Sequence, residues 1–395
     1  MTSAVVVGAG IAGACATYHL ARLGVRVRCL DLGPECGAEN TSAGSFARLS
    51  AYQQPTEARF RLVAAGIAEH RRLADTLGPA HWWHPGGSLA WGLPGLAEHI
   101  GRLRAWGYPV RWTHAAHVES RLDPGVRFTG PRTPVALLPD EGWVDAQALI
   151  GALLSEAREV GGATVEVAEA VAIVLRGSRI AGVRCADGRE LAADAVVNAA
   201  GHGAAALAES AGAPLAPALA DRSSLVADLF TRAEPPRHVL RGPALHVRAA
   251  GQGLLRVRSE QVDACLAAGA PVDALVEELL ARARRMLPRT AEAAVAEARV
   301  ATAVFPRRGH PCAGAVPAVP GYHELVTNSG ITLGPLLGRL VAEELATGQA
   351  DPLLRDCRPQ DARARTYMGR RETESRTALP TPAVPVAAVP QGEDG

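Results

Sequence analysis

The chain contains no lysine. Its 41 basic residues other than histidine are all arginine, and with 40 acidic residues they leave a net charge of +1. No lysine amine is therefore available for chemistry in this protein. The nearly even charge balance also gives no sign of a polyanionic partner, so we expect neither a nucleic-acid nor a membrane partner.

Patterned cysteines and long apolar runs are also missing. The seven cysteines form no Cys-x-x-Cys pair and no His/Cys cluster at metal-ligand spacing, so we expect no metal site and a reducing compartment. No stretch reaches the roughly 20 apolar residues that a membrane span needs. The apolar run at 4–16 lacks the basic flank of a signal peptide. We therefore expect a cytoplasmic protein.

What the chain does have is an ordinary globular composition, with 48% hydrophobic and 21% charged residues over 395 positions. This length allows two domains or one large one. From about residue 371 the chain turns to Pro, Ala, Thr and Glu without any period, and we expect a disordered tail there.

A strand-loop-helix-strand pattern opens the chain. A β-branched run at 4–7 predicts a buried strand, the loop Gly8-x-Gly10-x-x-Gly13 follows, and 14–23 and 25–30 predict a helix and a second strand. Asp31 ends that strand, where a carboxylate can hold ribose hydroxyls.

Each glycine of this loop has a mechanical purpose. The first permits the tight turn, the second lets the backbone approach a pyrophosphate, and the third lets helix and strand pack closely. The helix N-terminus then offers N–H groups to phosphates. An acid at the strand end argues against the 2′-phosphate of NADP, but the loop alone leaves NAD and FAD open.

Further elements follow from periodicity and turn signals. Helices are expected at 57–77, 96–106, 145–160, 272–287 and 335–346. Strands are expected at 81–91, 110–113, 163–167, 170–175, 179–185, 195–199, 246–249, 254–258 and 324–327.

Three segments far apart in the chain decide between the nucleotides. They are Asn-Thr-Ser-Ala-Gly-Ser-Phe at 40–46, Asp-Ala-Val-Val-Asn-Ala-Ala-Gly at 194–201, and Asn-Ser-Gly-Ile-Thr-Leu-Gly-Pro at 328–335. Together with the first loop they resemble the D-amino-acid-oxidase-like family of FAD enzymes, which includes glycine oxidase and sarcosine oxidase. The resemblance covers most of residues 1–365 and is weak at 80–140 and 215–300.

The resemblance implies an α/β fold: a discontinuous Rossmann-like FAD-binding domain and an inserted α+β substrate domain built on an antiparallel sheet. The implied FAD-binding domain comprises 1–80, 143–215 and 300–370. The implied substrate domain comprises 81–142 and 216–299.

The resemblance also implies cofactor-binding positions. They are Gly8, Gly10, Ile11, Ala12, Gly13, Asp31, Leu32, Thr41, Ser42, Ser45, Val171, Ala200, Gly201, Gly330, Ile331, Thr332, Leu333 and Gly334. The first loop and Asp31 would hold the ADP half, and Val171 would meet the adenine. The stretch at 330–334 would lie at the pyrimidine edge of the flavin. A helix starting at or near Pro335 would stabilise negative charge on the reduced ring.

The chemistry that the resemblance implies is oxidation of a C–N bond. Family members transfer hydride from a carbon bearing nitrogen to flavin N5, giving an imine, and the flavin is reoxidised by O2 or another acceptor. The family's carboxylate-binding arginine falls on Ala303 here, and the aspartate of the same segment falls on Arg308. The cysteine that links FAD covalently in sarcosine oxidases falls near Ala301, so we expect non-covalent FAD. The resemblance also implies a small-molecule amine substrate.

Arg48, His246 and Arg256 are the candidates for contacts with the substrate. Arg48 matches an arginine near the flavin of sarcosine oxidases, whereas His246 and Arg256 lie on the hairpin of the expected substrate domain. Two other functions remain open: a flavin monooxygenase, and a non-catalytic flavoprotein subunit. An NAD-linked dehydrogenase without flavin is a further alternative.

Overall fold

The structure is a computed structural model that describes residues 2–33, 41–52, 54–78, 81–213, 219–306 and 310–359. The expected tail from 371 and the Arg308 position lie outside these residues. The helices are α1 Ile11–Arg22, α2 Glu57–Leu77, α3 Leu96–Ala105, α4 Ala115–His117, α5 Ala146–Gly161, α6 Ala204–Ser210, α7 Glu260–Ala267, α8 Val272–Met286 and α9 Gly330–Thr347.

The strands form four sheets within the described residues. They are β1 Ser3–Val7, β2 Arg26–Asp31, β3 Arg48–Leu49, β4 Trp83–His84, β5 Ser88–Ala90, β6 Arg111–His114, β7 Pro134–Leu138, β8 Gly142–Val144, β9 Thr164–Val167, β10 Ala170–Arg176, β11 Arg179–Cys185, β12 Glu190–Ala192, β13 Ala195–Asn198, β14 Leu219–Phe230, β15 Val239–Arg241, β16 His246–Ala249, β17 Leu254–Arg258, β18 Ala294–Pro306, β19 Cys312–Ala315 and β20 Tyr322–Val326.

The first sheet has the order β19-β20-β13-β1-β2-β9. Its pairings are parallel except that of β19 with β20. The chain crosses from β1 to β2 on one side through α1 and returns much later to place β13 on the other side of β1, so the strand order reverses at β1. Ligands of such sheets bind at this switch point, beyond the carboxyl ends of the strands. The Gly8–Gly13 loop lies there.

Small residues let α1 pack closely between two other helices. A Cβ on Gly338 of α9 would lie 2.7 Å from the Cβ of Cys15, and one on Gly161 of α5 would lie 2.6 Å from the carbonyl oxygen of Ala21. Real Cβ atoms do not approach neighbours this closely, so both positions require glycine. The three helices and the apolar residues beneath them form the largest buried cluster.

The second large sheet has the order β18-β14-β17-β16-β15-β5-β7-β6 and is antiparallel apart from the β15–β5 pair. Its core includes Leu225, Val247 and Val257, with Leu279 of α8 packed against them. Two small antiparallel sheets, β10-β11-β12 and β3-β8-β4, complete the structure. The predicted α/β class, with a Rossmann-like part and an antiparallel sheet, is confirmed.

The two longest strands were absent from the sequence expectations. β14 carries a polar run at 221–224, and β18 is rich in alanine, which favours helix. They pair with each other along their whole length, and this pairing overrides the local preference. The expected domain boundary at 299/300 falls inside β18. The stretch 81–91, expected as one strand, forms two short ones, β4 and β5.

The expected start of the C-terminal helix is wrong. We expected Pro335 at its first turn, whereas α9 begins at Gly330 and contains Pro335 in its interior. Proline has no N–H to donate to the carbonyl four residues earlier, which is that of Ile331. The buried His70 of α2 supplies the missing bond, since its Nε2 lies 2.8 Å from that oxygen. Burial lowers the pKa of His70 to about 4, so the ring is neutral and Nε2 carries the proton.

In the described ranges, no helix combines the length and apolar character that a membrane crossing requires.

His70→Leu is expected to cost about 1–3 kcal/mol of stability, because it leaves the Ile331 carbonyl buried without a donor. In a Pro335→Ala background the backbone N–H of residue 335 returns, so the same His70 substitution should cost less. Urea unfolding of the four proteins measures both losses. Equal losses in the two backgrounds would show that His70 does not replace the proline's missing donor.

Candidate functional site

The glycine loop is shaped by contacts that exclude side chains. Gly8 has φ of +97°, and a Cβ there would lie 2.5 Å from the carbonyl oxygen of Ala199. A Cβ on Gly13 would lie 1.8 Å from the oxygen of Gly8, so α1 meets β1 in direct backbone contact. This is the close approach that a dinucleotide-binding turn requires.

Asp31 ties the end of β2 to this loop. Its Oδ2 accepts a hydrogen bond of 2.6 Å from the N–H of Ala9, and its Oδ1 accepts one of 3.0 Å from Gly33. On the other side, Ser42 Oγ accepts from the N–H of Ile11 at 3.1 Å. Backbone, carboxylate and hydroxyl therefore form a continuous polar cradle at the carboxyl end of the parallel sheet.

One cavity runs from this cradle to the antiparallel sheet. Its volume is about 1780 Å³, larger than the roughly 300–1,000 Å³ typical of drug-sized ligand pockets. Its lining includes Gly8, Asp31 and Val171 together with Arg48 and Tyr52. The cavity has room for an extended dinucleotide and a second small molecule.

Most of the expected cofactor positions line the cavity. They are Gly8, Gly10, Ile11, Ala12, Asp31, Leu32, Thr41, Ser42, Ser45, Val171, Ala200, Gly201, Gly330, Ile331 and Thr332.

The remaining three expected positions do not line it. Gly13 packs on Gly8, and Leu333 is buried in the core. A Cβ added to Gly334 would lie 3.2 Å from Cγ2 of Ile11. These three support the shape of the cradle and the packing of α9 on α1. The cavity thus meets only the first turn of α9, whose backbone N–H groups are unpaired in the helix and carry partial positive charge.

Arg48 reaches the cavity from a strained turn. Ala47 before it has φ of 54°, the one positive value among non-glycine residues of the described chain. Arg48 then pairs with Trp143 in the β3–β8 ladder. Its Nη1 is buried and has no hydrogen-bond partner in the described residues. Burial, reinforced by the nearby charge of Arg241, lowers the pKa of Arg48 to about 9, so it stays protonated at neutral pH.

His246 and Arg256 lie behind the cavity wall. Arg256 forms an ion pair with Asp228, with contacts of 2.6 and 2.7 Å, and its Nη1 donates to the carbonyls of Ala43 and Ser45. The ring of His246 is 3% exposed and meets Phe46 edge-on at 6.1 Å. Neither is among the residues that line the cavity. Arg256 holds the 43–45 segment in place, and direct substrate contact by either residue remains a prediction.

Two buried residues near the site were missed from the sequence. Arg241 is 1% exposed, and its guanidinium carbon lies 4.2 Å from the ring centroid of Tyr52. Arg248 donates from Nε to the carbonyl of Phe46 at 2.5 Å and lies over the Trp143 ring. Only the strand register identifies them, because it places Arg241 opposite His246 and Arg248 opposite Arg256 on one face of the sheet.

A buried polar network supports the turn at 199–201. Asn198 Nδ2 donates to the Tyr322 hydroxyl at 2.8 Å and to Glu324 Oε2 at 3.1 Å, while its Oδ1 accepts from the N–H of Ala200. Burial raises the pKa of Glu324 to about 8. The carboxyl is therefore neutral at pH 7 and positions the amide that holds this turn at the cavity wall.

Glu324→Gln is expected to flatten the dependence of stability on pH. In the wild type the unfolded chain loses this proton near the ordinary pKa of 4.5, whereas the folded chain keeps it until about 8. Folding stability should therefore fall as pH rises through this window, by up to about 1.4 kcal/mol per pH unit from this group. Urea unfolding across the window compares the two proteins, and identical slopes would contradict a neutral Glu324.

The site residues fit an FAD-type dinucleotide. Gly8 and Gly13 allow the close backbone approach that forms the dinucleotide turn, the Asp31 carboxylate lines the same cavity, and the first turn of α9 offers N–H groups to it. In the described chain, no group of three or more His, Cys, Asp or Glu residues is arranged to hold a metal ion.

Comparison with known proteins identifies the family. The sequence model of the DAO family, described as FAD dependent oxidoreductase, matches residues 3–344. The chain belongs to this family. The predicted family and the predicted FAD-dependent oxidoreductase activity are thereby confirmed, and FAD is the cofactor.

Solved structures share this fold. Glycine oxidase from Geobacillus kaustophilus is 20% identical with a TM-score of 0.75, and the match covers 91% of this chain and 99% of that one. Iminodiacetate oxidase from Chelativorans sp. BNC1 is 24% identical with a TM-score of 0.75, covering 90% of this chain and 98% of that one. At these identities the likeness shows the fold alone.

One relative is named for a role in tRNA modification. The tRNA 5-methylaminomethyl-2-thiouridine biosynthesis bifunctional protein MnmC of Polaromonas naphthalenivorans is 33% identical over 229 residues. The match covers 54% of this chain and 34% of that protein, so the chain aligns with about a third of its relative.

Proposed function

We propose that this enzyme oxidises the C–N bond of a small amine or amino-acid-like substrate to an imine, with O2 or another acceptor receiving the electrons. The observation that carries the proposal is the single cavity that joins the dinucleotide cradle at Gly8 and Asp31 to Arg48 and Tyr52. Bound FAD supplies the hydride acceptor, so the chain's own residues need only bind, orient and shield the substrate.

Different residues of the cavity bind the nucleotide, stabilise charge and exclude water. The cradle holds the nucleotide half, and the first turn of α9 presents N–H groups and the positive end of its dipole to developing negative charge. Apolar wall residues such as Phe46, Ala301 and Phe305 exclude water from the far part of the cavity. Arg48 provides a fixed positive charge there and cannot act as a base at neutral pH, because its pKa remains about 9.

We further propose that FAD is bound without a covalent link. Ala301 lies in the cavity wall, and the described residues that line the cavity include no cysteine. The division into an FAD-binding domain (1–80, 143–215, 300–370) and a substrate domain (81–142, 216–299) and the cytoplasmic location are parts of the same proposal.

Purified protein should be yellow, and acid precipitation should release the flavin into the supernatant. The absorption spectrum of the supernatant measures this release. A sarcosine oxidase with covalent flavin, treated in parallel, should keep its colour in the pellet and serves as the control. Flavin retained in the pellet of this protein would contradict non-covalent binding.

Anaerobic mixing with amines should bleach the flavin absorption, because the substrate delivers two electrons as hydride. A panel of secondary amines, amino acids and N-substituted glycines tests the reaction, with NADH and NADPH as comparison reductants. Bleaching by a nicotinamide alone would indicate a flavin monooxygenase. No bleaching by any reductant in the panel would favour a non-catalytic flavoprotein subunit.

A second candidate substrate is an amine carried by a modified tRNA nucleoside. The relative from Polaromonas naphthalenivorans is named for biosynthesis of a 5-methylaminomethyl group, which is a secondary amine. This chemistry favours the candidate. The net charge of +1 led us to predict no nucleic-acid partner, and that prediction stays untested. Bleaching by the modified tRNA, but not by the small amines, would select this candidate.

A further inference from the structure

A buried arginine stands at the start of α2. Arg59 lies in the first turn of this helix, after the N-cap residue Thr56, and it lines the cavity although it is only 5% exposed. Its Nη1 is buried without a hydrogen-bond partner in the described residues, and its Nη2 lies 3.5 Å from Oδ1 of Asn328. The guanidinium is therefore poorly paired for a buried group.

Within the described part of the chain, no carboxylate compensates the charge of Arg59. The titratable group that acts on it is the thiol of Cys357, and burial raises the pKa of that thiol to about 11, so the thiol is neutral at pH 7. Burial lowers the pKa of Arg59 as well, but arginine keeps its proton at neutral pH. Arg258, which lines the same cavity, differs because Asp263 pairs with it at 2.6 Å. Arg59 thus carries a positive charge that lacks a counter-ion, which is unfavourable in a buried position.

The N-terminus of α9 adds positive charge in the same region. Gly330, Ile331 and Thr332 line the cavity, and as the first three residues of the helix they have backbone N–H groups without a partner inside it. Asn328, which Arg59 contacts, lies two residues before this first turn. The guanidinium of Arg59 and the partial positive charge of the helix end therefore act on one part of the cavity, which we call the positive corner.

The positive corner adjoins the phosphate side of the cradle. A Cβ on Gly330 would lie 3.3 Å from Cγ2 of Ile11, the first residue of α1. The N-termini of α1 and α9 are thus neighbours, so a dinucleotide whose pyrophosphate lies at α1 extends its second half past α9. A hydride carries two electrons and one proton, so its transfer to the neutral flavin ring of FAD leaves one negative charge on that ring.

We propose that Arg59, together with the first turn of α9, stabilises the negative charge of the reduced flavin and so raises the reduction potential of the bound cofactor. The inference rests on the proposed function, because it names the residue that favours transfer of the hydride from the amine. The substrate loses the hydride and becomes an iminium ion, the flavin ring gains it, and Arg59 exchanges neither a proton nor an electron. Its contribution is the fixed charge alone.

A redox titration of the FAD-bound protein measures this contribution without any substrate. Arg59→Met removes the charge, and the reduced state should become about tenfold less stable relative to the oxidised state, a fall of about 30 mV in the two-electron potential. Arg59→Lys restores a charge and should recover most of the potential. Arg61→Met is the matched control on the same helix, because the Arg61 side chain is 66% exposed and paired with Glu57, and it should change nothing. An unchanged potential in the Arg59→Met protein would overturn the proposal.

Binding of sulfite gives a second measurement. Sulfite adds to the flavin ring and leaves a negative charge on it, so Arg59→Met should weaken sulfite binding by about tenfold, the same factor that the potential reports. The loss of flavin absorption measures this binding. Acetate, titrated in parallel, reports a site for small anions. Weaker binding of acetate to the Arg59→Met protein, with the potential and the sulfite affinity unchanged, would assign the positive corner to a substrate anion and overturn the proposal.

The wild-type protein decides the matter if Arg59→Met does not retain FAD. After chemical reduction it should show the absorption spectrum of the anionic reduced flavin even at mildly acidic pH, where free reduced flavin takes up a proton. The spectrum of the neutral reduced flavin at that pH would overturn the proposal. None of these measurements requires turnover. A protein that gives the expected shifts but is bleached by no amine would therefore refute the proposed reaction while supporting the role of Arg59.

Discussion

Arginines on one face of the antiparallel sheet hold the segment 43–46, which contributes to the cavity wall. Arg256 donates to the carbonyls of Ala43 and Ser45, and Arg248 donates to that of Phe46. These charge-assisted bonds replace the backbone pairing that an irregular segment lacks. They hold the chain through the strained turn at Ala47, which in turn brings Arg48 to the cavity. The rest of the site depends on this connection between sheet and segment.

The arginines of the same sheet face differ in the groups that pair with their guanidiniums. Arg256 and Arg258 have carboxylate partners in Asp228 and Asp263. Arg248 is satisfied by carbonyls. Arg241 of β15 has neither kind of partner among the described residues for two of its nitrogens. The carboxylates of Glu141 and Glu260 act on its charge instead, and Arg241 is not among the residues that line the cavity.

The opposite wall is rigid for a different reason. Gly8, Gly13 and Gly338 each occupy a place where a Cβ would collide with backbone or with a neighbouring helix. Close packing of this kind leaves α1 and α9 little freedom to shift. His70 completes the arrangement by bonding the carbonyl that Pro335 leaves unpaired. A rigid dinucleotide cradle thus faces a charged wall that is fastened separately.

The cradle could be predicted from the sequence, but the charged wall could not. The Gly8–Gly13 loop and Asp31 carry local signals, because each position answers a backbone or phosphate requirement that is visible within a few residues. The long strands β14 and β18 escaped prediction because their alanines and polar residues favour other structures until the two strands pair. Arg241 escaped for the same reason, since its neighbours His246 and Tyr52 become neighbours only through strand register and tertiary packing. The predicted helix start at Pro335 was wrong because His70, whose hydrogen bond allows a proline inside α9, lies far away in the chain.

A crystal structure of the FAD-bound protein tests the central claim most directly. We expect the adenosine beside Asp31 and Val171, and the flavin ring between the first turn of α9 and Arg48. FAD bound elsewhere, or a flavin ring remote from Arg48, would contradict it.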